Sequence, residues 1–223
     1  MNSGPLYLVS TPIGNLEDIT IRAVRILSQV DIIAAEDTRK TNILLSHYNI
    51  SKPLVSYFSY NERRRIPGIL DALKAGKSVA LVSEAGTPGI SDPAVGIVRA
   101  ALAEHLRIVA IPGPTAFLPA LITSGLPCDE FIFVGFLPLK KGRKTILEKL
   151  SREKRTVVLY ESPHRLLKTL NEMLIVFGDR RISVAREMTK KFEEIVHGRI
   201  SQIIERFSKS RIRGEFVFVI EGR

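Results

Sequence analysis

The chain has 223 residues, is 45% hydrophobic and has a mean hydropathy of +0.10, which suits a folded protein of one large domain or two small ones. No apolar run approaches the ~18 residues of a membrane span, the N-terminus has no signal-peptide pattern, and the one cysteine, Cys128, excludes a disulfide framework or a multi-Cys zinc site, so cytoplasmic residence is the default expectation. The net charge of +10 is lopsided: residues 113–223 hold 21 basic and 13 acidic side chains, a surplus of +8 that points to a polyanion, and to nucleic acid ahead of a membrane surface because the chain has no Trp.

The first half alternates apolar runs with amphipathic stretches. Strands are predicted at 6–10, 31–35, 53–57, 78–82 and 107–111, with helices near 20–29, 38–47, 62–75, 93–104 and 115–123. Near-continuous apolar strands separated by helices argue for a mostly parallel sheet covered on both faces. The second half changes character. Strands are predicted at 131–136, 156–160, 181–186, 192–197 and 215–220, with helices near 142–153, 164–177 and 200–207. The closeness of 181–186 and 192–197 suggests an antiparallel hairpin, hence a mixed sheet. Gly, Pro and Asp cluster at 124–130, so the expected organisation is an α/β domain at 1–125, a mixed α/β domain at 126–223, and a cleft between them.

Four of the first-half strands end in unusual loops: Pro12-Ile13-Gly14-Asn15-Leu16, Ala35-Glu36-Asp37-Thr38-Arg39, the Gly/Pro-rich segment Ser83–Pro93, and Ile111-Pro112-Gly113-Pro114-Thr115. In a parallel sheet all four gather at the carboxyl edge, where open α/β sheets bind ligands. Gly lets backbone approach a ligand and Pro holds exposed polar backbone in place. One such loop is ordinary turn chemistry; three of them beside an acidic one indicate a ligand. Thr38, Thr115 and Asp92 each have a competing use as helix caps, which is preferred for Asp92. Glu36, Asp37 and Arg39 at the mouth of a buried strand point to a ligand or to one another.

Several chemistries are excluded. The segment Ala75-Gly76-Lys77-Ser78 ends like a P-loop, but Asp71 stands where the first Gly is required and the segment precedes a strand. No G-x-G-x-x-G, G-x-S-x-G or H-E-x-x-H occurs, and His47, His105, His164 and His197 are scattered, so neither a metal nor a Ser-His hydrolase is expected. In the second half, Tyr160-Glu161 with Arg165, and Arg186-Glu187 with Lys190, sit at strand ends as either ion-pair networks or substrate contacts. The densest basic run, residues 140–155, contains Lys140, Lys141, Arg143 and Lys144, the candidate contacts to nucleic-acid phosphates.

In combination, "TPIGNLEDIT", "AAEDTRKT", "LVSEAGTPGISDP", "IPGPTA", "GFLP", "YESPHRL" and "AREMTKKFEEI" resemble the tetrapyrrole-methylase-fold (class III) S-adenosylmethionine methyltransferases, from about residue 5 to 222. Within that family the resemblance is to members that methylate the ribose 2′-hydroxyl of a cytidine in the decoding region of 16S rRNA. It implies S-adenosylmethionine as cofactor, 16S rRNA within the 30S subunit as partner, no membrane, no metal, and a homodimer. It places the cofactor between two α/β domains, at Pro12 and Gly14; at Ser83, Glu84, Ala85, Gly86, Thr87 and Pro88; at Pro112, Gly113, Pro114 and Thr115; and at Glu161, Ala185 and Gly214. The chain departs from the family's usual Ser-Asp-Ala-Gly-Thr-Pro by carrying Glu84. It also carries Tyr57-Phe58-Ser59-Tyr60-Asn61-Glu62 where a His-rich segment is common.

A ribose hydroxyl is a poor nucleophile, so a base or a neighbouring cation is expected to ease loss of its proton. Glu36, Asp37, Glu84 and Glu187 are candidate bases, and Arg39, Arg186 or Lys190 candidate stabilisers of the alkoxide or the phosphates. The rival readings are a tetrapyrrole or protein side-chain methylase of the same fold, a dinucleotide-dependent oxidoreductase, and a non-catalytic RNA-binding protein.

Overall fold

The computed structural model describes residues 3–223. Alternate side chains of the first-half strands are apolar on both faces, and the fold buries both. Strands β1 (Leu6–Val9), β2 (Ile32–Ala35), β3 (Leu54–Ser56), β4 (Val79–Val82) and β5 (Ile108–Ile111) form one parallel sheet in the order β3-β2-β4-β1-β5. Leu6, Ala34, Val79 and Leu81 pack on one side with helices α3 (Glu62–Lys74) and α4 (Val95–Ala103). Val9, Ile33, Ala80 and Val82 pack on the other side with α1 (Ile21–Gln29), and Leu45 of α2 (Thr38–His47) joins them.

The placement of helices follows from handedness. The connections β1-α1-β2 and β2-α2-β3 run toward one sheet edge, whereas β3-α3-β4 and β4-α4-β5 run toward the other. Right-handed crossovers therefore put the two pairs on opposite faces. Consequently the chain leaves β1 and β2 toward one face and the intervening β4 toward the opposite face. That divergence opens a crevice at the carboxyl ends of β1, β2 and β4, the switch point of the sheet.

The second sheet has the order β6-β7-β10-β8-β9, from β6 (Phe131–Phe136), β7 (Thr156–Glu161), β8 (Arg181–Arg186), β9 (Glu194–Arg199) and β10 (Phe216–Ile220). Only β6 and β7 are parallel; the other pairings are antiparallel, and β8 and β9 form the expected hairpin. Helices α6 (Arg143–Leu150), α7 (Leu166–Phe177) and α8 (Ile200–Ser208) contribute Leu147, Leu170, Met173 and Ile203 to its core.

The chain divides into compact units after Thr115. The short helix α5 (Phe117–Ile122) belongs with the second unit, where Phe117 stacks on Phe133 at 4.5 Å between ring centroids. The expected division at 125/126 therefore moves to 115/116, because an apolar helix follows the sheet it packs against and not the nearest Gly/Pro cluster. Among the described residues no helix is long and apolar enough to cross a membrane.

Candidate active site

At the switch point the loops are tied to one another. Thr11 and Gly86 form an isolated antiparallel bridge, with N–H···O distances of 2.9 and 3.0 Å in the two directions. The Ser10 hydroxyl donates to Ile111 O (3.1 Å) and lies 2.9 Å from Thr87 Oγ1, which donates to Pro114 O (3.0 Å). Three strand-end loops are thus stitched through Ser10, Thr11, Gly86 and Thr87. Gly86 adopts φ +86°, where a side chain is strained. Gly113 allows the β5 loop to lie on Ser10: a Cβ there would sit 2.7 Å from Ser10 Cβ. Much of the glycine requirement is therefore loop-on-loop registration.

A cavity of about 150 Å³ opens beside these loops, with Thr11, Pro12, Gly14, Ser83 and Glu84 on its wall together with Lys40, Thr41 and Leu44 of α2. Lys40 forms an ion pair with Glu84, and both side chains are about half exposed. Glu36 accepts a hydrogen bond from the Glu84 amide (3.0 Å). It also borders a smaller space of about 10 Å³, on the scale of one water, shared with Tyr57, Ser83 and Asp92. Burial pushes the Asp92 carboxyl up to about 6, against the opposing pull of the Gly89 amide. Asp92 does not cap α4, as its position suggested; the N-cap is Ala94, and Asp92 accepts from Gly89 N instead.

Asp37 and Arg39 are engaged with each other. Asp37 is the N-cap of α2, accepting from the amides of Arg39 (2.8 Å) and Lys40 (3.4 Å), and its other oxygen meets the Arg39 guanidinium at 3.1 Å. The Arg39 side chain and amide hold the carboxyl down at about 2. The cap is thus Asp37 and not Thr38. Thr115 does not cap α5 either: its hydroxyl is buried with no partner among the described residues, beside the backbone of Pro112–Pro114. An unpaired buried hydroxyl is unusual, and the Pro/Gly backbone around it is polar and poor in side chains.

The second unit gathers two ionic groups. In the first, Glu161 is 1% exposed. Its carboxylate accepts from Ser162 N (2.8 Å) and Thr169 Oγ1 (2.5 Å) and pairs with Arg165 (2.8 Å). Arg143, 6% exposed, completes the network, donating to Glu172 (2.7 Å), Thr169 (2.6 Å) and Pro138 O (3.1 Å). Arg143 is therefore not a surface phosphate contact, a correction with a simple cause: its neighbours Leu147 and Leu150 carry it into the core. Lys140, Lys141 and Lys144 remain exposed. The Glu161 side chain is likewise committed to this network.

In the second group, Glu187 at φ +51° folds its carboxylate over Gly214. There it accepts from Glu215 N (2.9 Å) and Lys190 Nζ (3.0 Å), while Lys190 also reaches Glu215 (2.8 Å). Burial raises the Glu187 carboxyl, but the Glu215 amide and Lys190 outweigh it and hold it below the usual range. A Cβ on Gly214 would lie 2.4 Å from Glu187 Cγ, so Gly214 makes room for this carboxylate. Arg186 donates to Arg213 O (2.7 Å) and faces Glu194. Ala185 is buried in β8 between Val217 and Ile195. Residues the sequence reading missed are Lys40 and Thr41; their signal was the first turn of α2 directly behind the acidic loop.

The sequence profile of the tetrapyrrole (corrin/porphyrin) methylases matches residues 5–204. Ribosomal RNA small subunit methyltransferase I of Bacillus subtilis is 50% identical over 220 residues, covering 98% of this chain and 75% of that protein. The protein of the same name from Thermotoga maritima is 48% identical over 220 residues, 99% of both chains. Among solved structures, the cobalamin biosynthetic enzyme cobalt precorrin-4 methyltransferase superposes with a TM-score of 0.72 at 20% identity, over 97% of this chain and 94% of that one. The uroporphyrin-III C-methyl transferase of Thermus thermophilus complexed with S-adenyl homocysteine gives 0.68 at 21%, over 98% and 97%. At those identities the two structures speak for the fold alone.

Proposed function

The chain belongs to the tetrapyrrole (corrin/porphyrin) methylase family, and from that premise we propose that it is an S-adenosylmethionine-dependent methyltransferase of small-subunit ribosomal RNA. The observation that carries this is the near-50% identity, over 98–99% of the chain, to proteins named for that activity. The motif pattern further supports a cytidine ribose 2′-hydroxyl in 16S rRNA as the acceptor, the 30S subunit as its context and a homodimeric assembly.

When bound, S-adenosylmethionine supplies a methyl group on a positively charged sulfonium. The residues that would hold it are the backbone of Ser83–Pro88 and Pro112–Thr115, the Thr115 hydroxyl and the Pro12–Gly14 turn. The loop-to-loop bonds through Ser10 and Thr87 keep these segments fixed. Fixed groups matter here because alignment of donor and acceptor supplies much of the acceleration in a displacement.

The acceptor hydroxyl must also shed a proton. Glu84, paired with Lys40 on the cavity wall, and Glu36, bound to the Glu84 amide, are the first unit's candidates for that role, a reading their position beside the cavities supports. Lys40 holds the Glu84 carboxylate against the cavity wall. Asp37 and Arg39 have a sufficient use as cap and cap partner, which leaves them outside the reaction. In the second unit the Glu187–Lys190–Glu215 group is the remaining candidate. Exposed Lys140, Lys141 and Lys144 suit phosphate contacts.

The test is to incubate the protein with methyl-labelled S-adenosylmethionine and 30S subunits, digest the RNA and identify the labelled nucleoside. 2′-O-methylcytidine from one 16S position is expected. Label on a base, or none in RNA, would overturn the reading. Sedimentation of the free protein checks the dimer.

A further inference from the structure

The loop between β3 and α3 carries an arrangement that the proposed chemistry leaves unused. Tyr57 is buried (1% exposed) and anchors the loop, its amide bonded to Ala35 O of β2 at 2.8 Å. Asn61, 8% exposed, closes it. Its Oδ1 accepts from Phe58 N (2.8 Å), and its Nδ2 donates to Ser56 O (3.2 Å) and Ser56 Oγ (3.3 Å). Phe58 O in turn accepts from the amides of Asn61 (2.9 Å) and Glu62 (3.0 Å). A loop held by this many bonds has a defined shape.

That shape turns aromatic rings outward. Tyr60 is 97% exposed and Phe58 36%, and the two rings meet edge to face, 6.4 Å apart at 65°. Folding gains little from a ring left in water. This chain has only 15 Phe and Tyr residues, yet it places three within Tyr57–Tyr60. Directly behind them the first turn of α3 carries Arg63 and Arg64, exposed and without an ion pair among the described residues, then Arg65, whose Nε is buried and unpartnered. Arg63 and Arg64 stand three and four residues after Tyr60, at the start of α3.

Open aromatic faces beside uncompensated guanidinium groups are what an unpaired nucleotide requires, a surface for the base and cations for its phosphates. The charge argues against an apolar protein partner. The location fits as well: β3 adjoins β2, so this loop lies at the same sheet edge as the Glu36 loop, and Tyr57 and Glu36 line one small cavity.

We propose that Phe58 and Tyr60, with Arg63 and Arg64, form a stacking platform for an unpaired nucleotide of the RNA substrate that flanks the methylated one. The inference rests on the RNA reading above, but it can fail separately. Because the chain has no Trp, tyrosine emission is observable directly. Titrating the protein with a short unstructured cytidine-rich oligoribonucleotide should quench that emission. Tyr60→Phe should bind the same oligonucleotide normally in an anisotropy assay, and Tyr60→Leu about tenfold or more weakly. Phe58→Ala/Tyr60→Ala should raise KM for 30S subunits roughly 10–100-fold, with kcat, S-adenosylmethionine affinity and Tm unchanged.

Three results would overturn the platform: unchanged oligonucleotide affinity in Tyr60→Leu, an unchanged KM in the double variant, or conversion of the double variant from dimer to monomer. The last would assign the patch to a second copy of this chain. If the wild type methylates no RNA yet Tyr60 still governs oligonucleotide binding, the RNA methylation reading falls and the platform stands.

Discussion

Gly113→Ala is the sharpest test of how the strand-end loops are assembled. A Cβ at this position would lie 2.7 Å from Ser10 Cβ, and ordinary contact begins at 3.4 Å, so the β5 loop must retreat by at least about 0.7 Å. Ser10 has no room to yield, being 1% exposed and bonded to Ile111 O and Thr87. The retreat strains two further bonds, Ser10 Oγ to Ile111 O at 3.1 Å and Thr87 Oγ1 to Pro114 O at 3.0 Å. Overpacking of this kind costs ~1–3 kcal/mol, and weakening two hydrogen bonds adds ~1 kcal/mol. The expected loss of ~2–4 kcal/mol corresponds to a fall in Tm of roughly 5–15 °C for a chain of this size.

Thermal unfolding by circular dichroism reads the loss, and calorimetry with S-adenosylmethionine reads its effect on the site. The partner variant Ser10→Gly removes the opposing Cβ. In the double variant Ser10→Gly/Gly113→Ala the two costs should therefore sum to less than their separate values, a coupling of ~1 kcal/mol or more. A Tm drop below about 2 °C in Gly113→Ala, or strict additivity in the double variant, would refute registration of the loops through Gly113.

Arg143→Ala should lower stability by ~3 kcal/mol in urea melts, because it removes the buried cation that binds Glu172, Thr169 and Pro138 O, while Glu161 keeps Arg165. Reversing Lys140, Lys141 and Lys144 to Glu should instead leave the melt unchanged and flatten the salt dependence of 30S binding by about two units of slope or more. Arg39→Ala should leave Tm within ~1 °C and single-turnover methylation near normal, while Asp37→Ala loses the α2 cap, about 1 kcal/mol; a large turnover defect in Arg39→Ala would return that loop to the mechanism. Asp92 binds its proton more tightly when folded (about 6, against an ordinary 3.8), so stability is expected to fall as pH rises through that interval. Asp92→Asn should therefore raise Tm at pH 7.5 and lose that advantage at pH 4, and an equal effect at both values would count against the shift.

Where sequence and structure part company, the cause is the distance over which a residue's environment is set. Strand runs such as 131–136 and 181–186 coincide with β6 and β8 because a short apolar run that follows turn residues is a local property. Strand β9 starts two residues later than its apolar run, at Glu194, because Glu193 turns back to bind Thr189 N and Thr189 holds φ +65°. That turn chemistry is invisible to periodicity. The gathering of the four loops at one edge was legible, since it follows from parallel strands and handed crossovers alone.

The Lys40–Glu84 pair was not legible, for its members are 44 residues apart and meet only through the sheet. Arg143 is a different kind of miss. It sits in a basic run, and composition assigns such a run to solvent. Yet Arg143, Leu147 and Leu150 are spaced i, i+4, i+7, so helical periodicity alone would have placed the guanidinium on the apolar stripe. A cation on the buried stripe of a helix needs an internal acid. Here that acid is supplied by Glu161 at the end of β7 and Glu172 on α7. The solvent-facing cations at the start of this segment are therefore Lys140, Lys141 and Lys144 on the other faces of the turn. Counting basic residues by helical face, and not by run, is what separates the two.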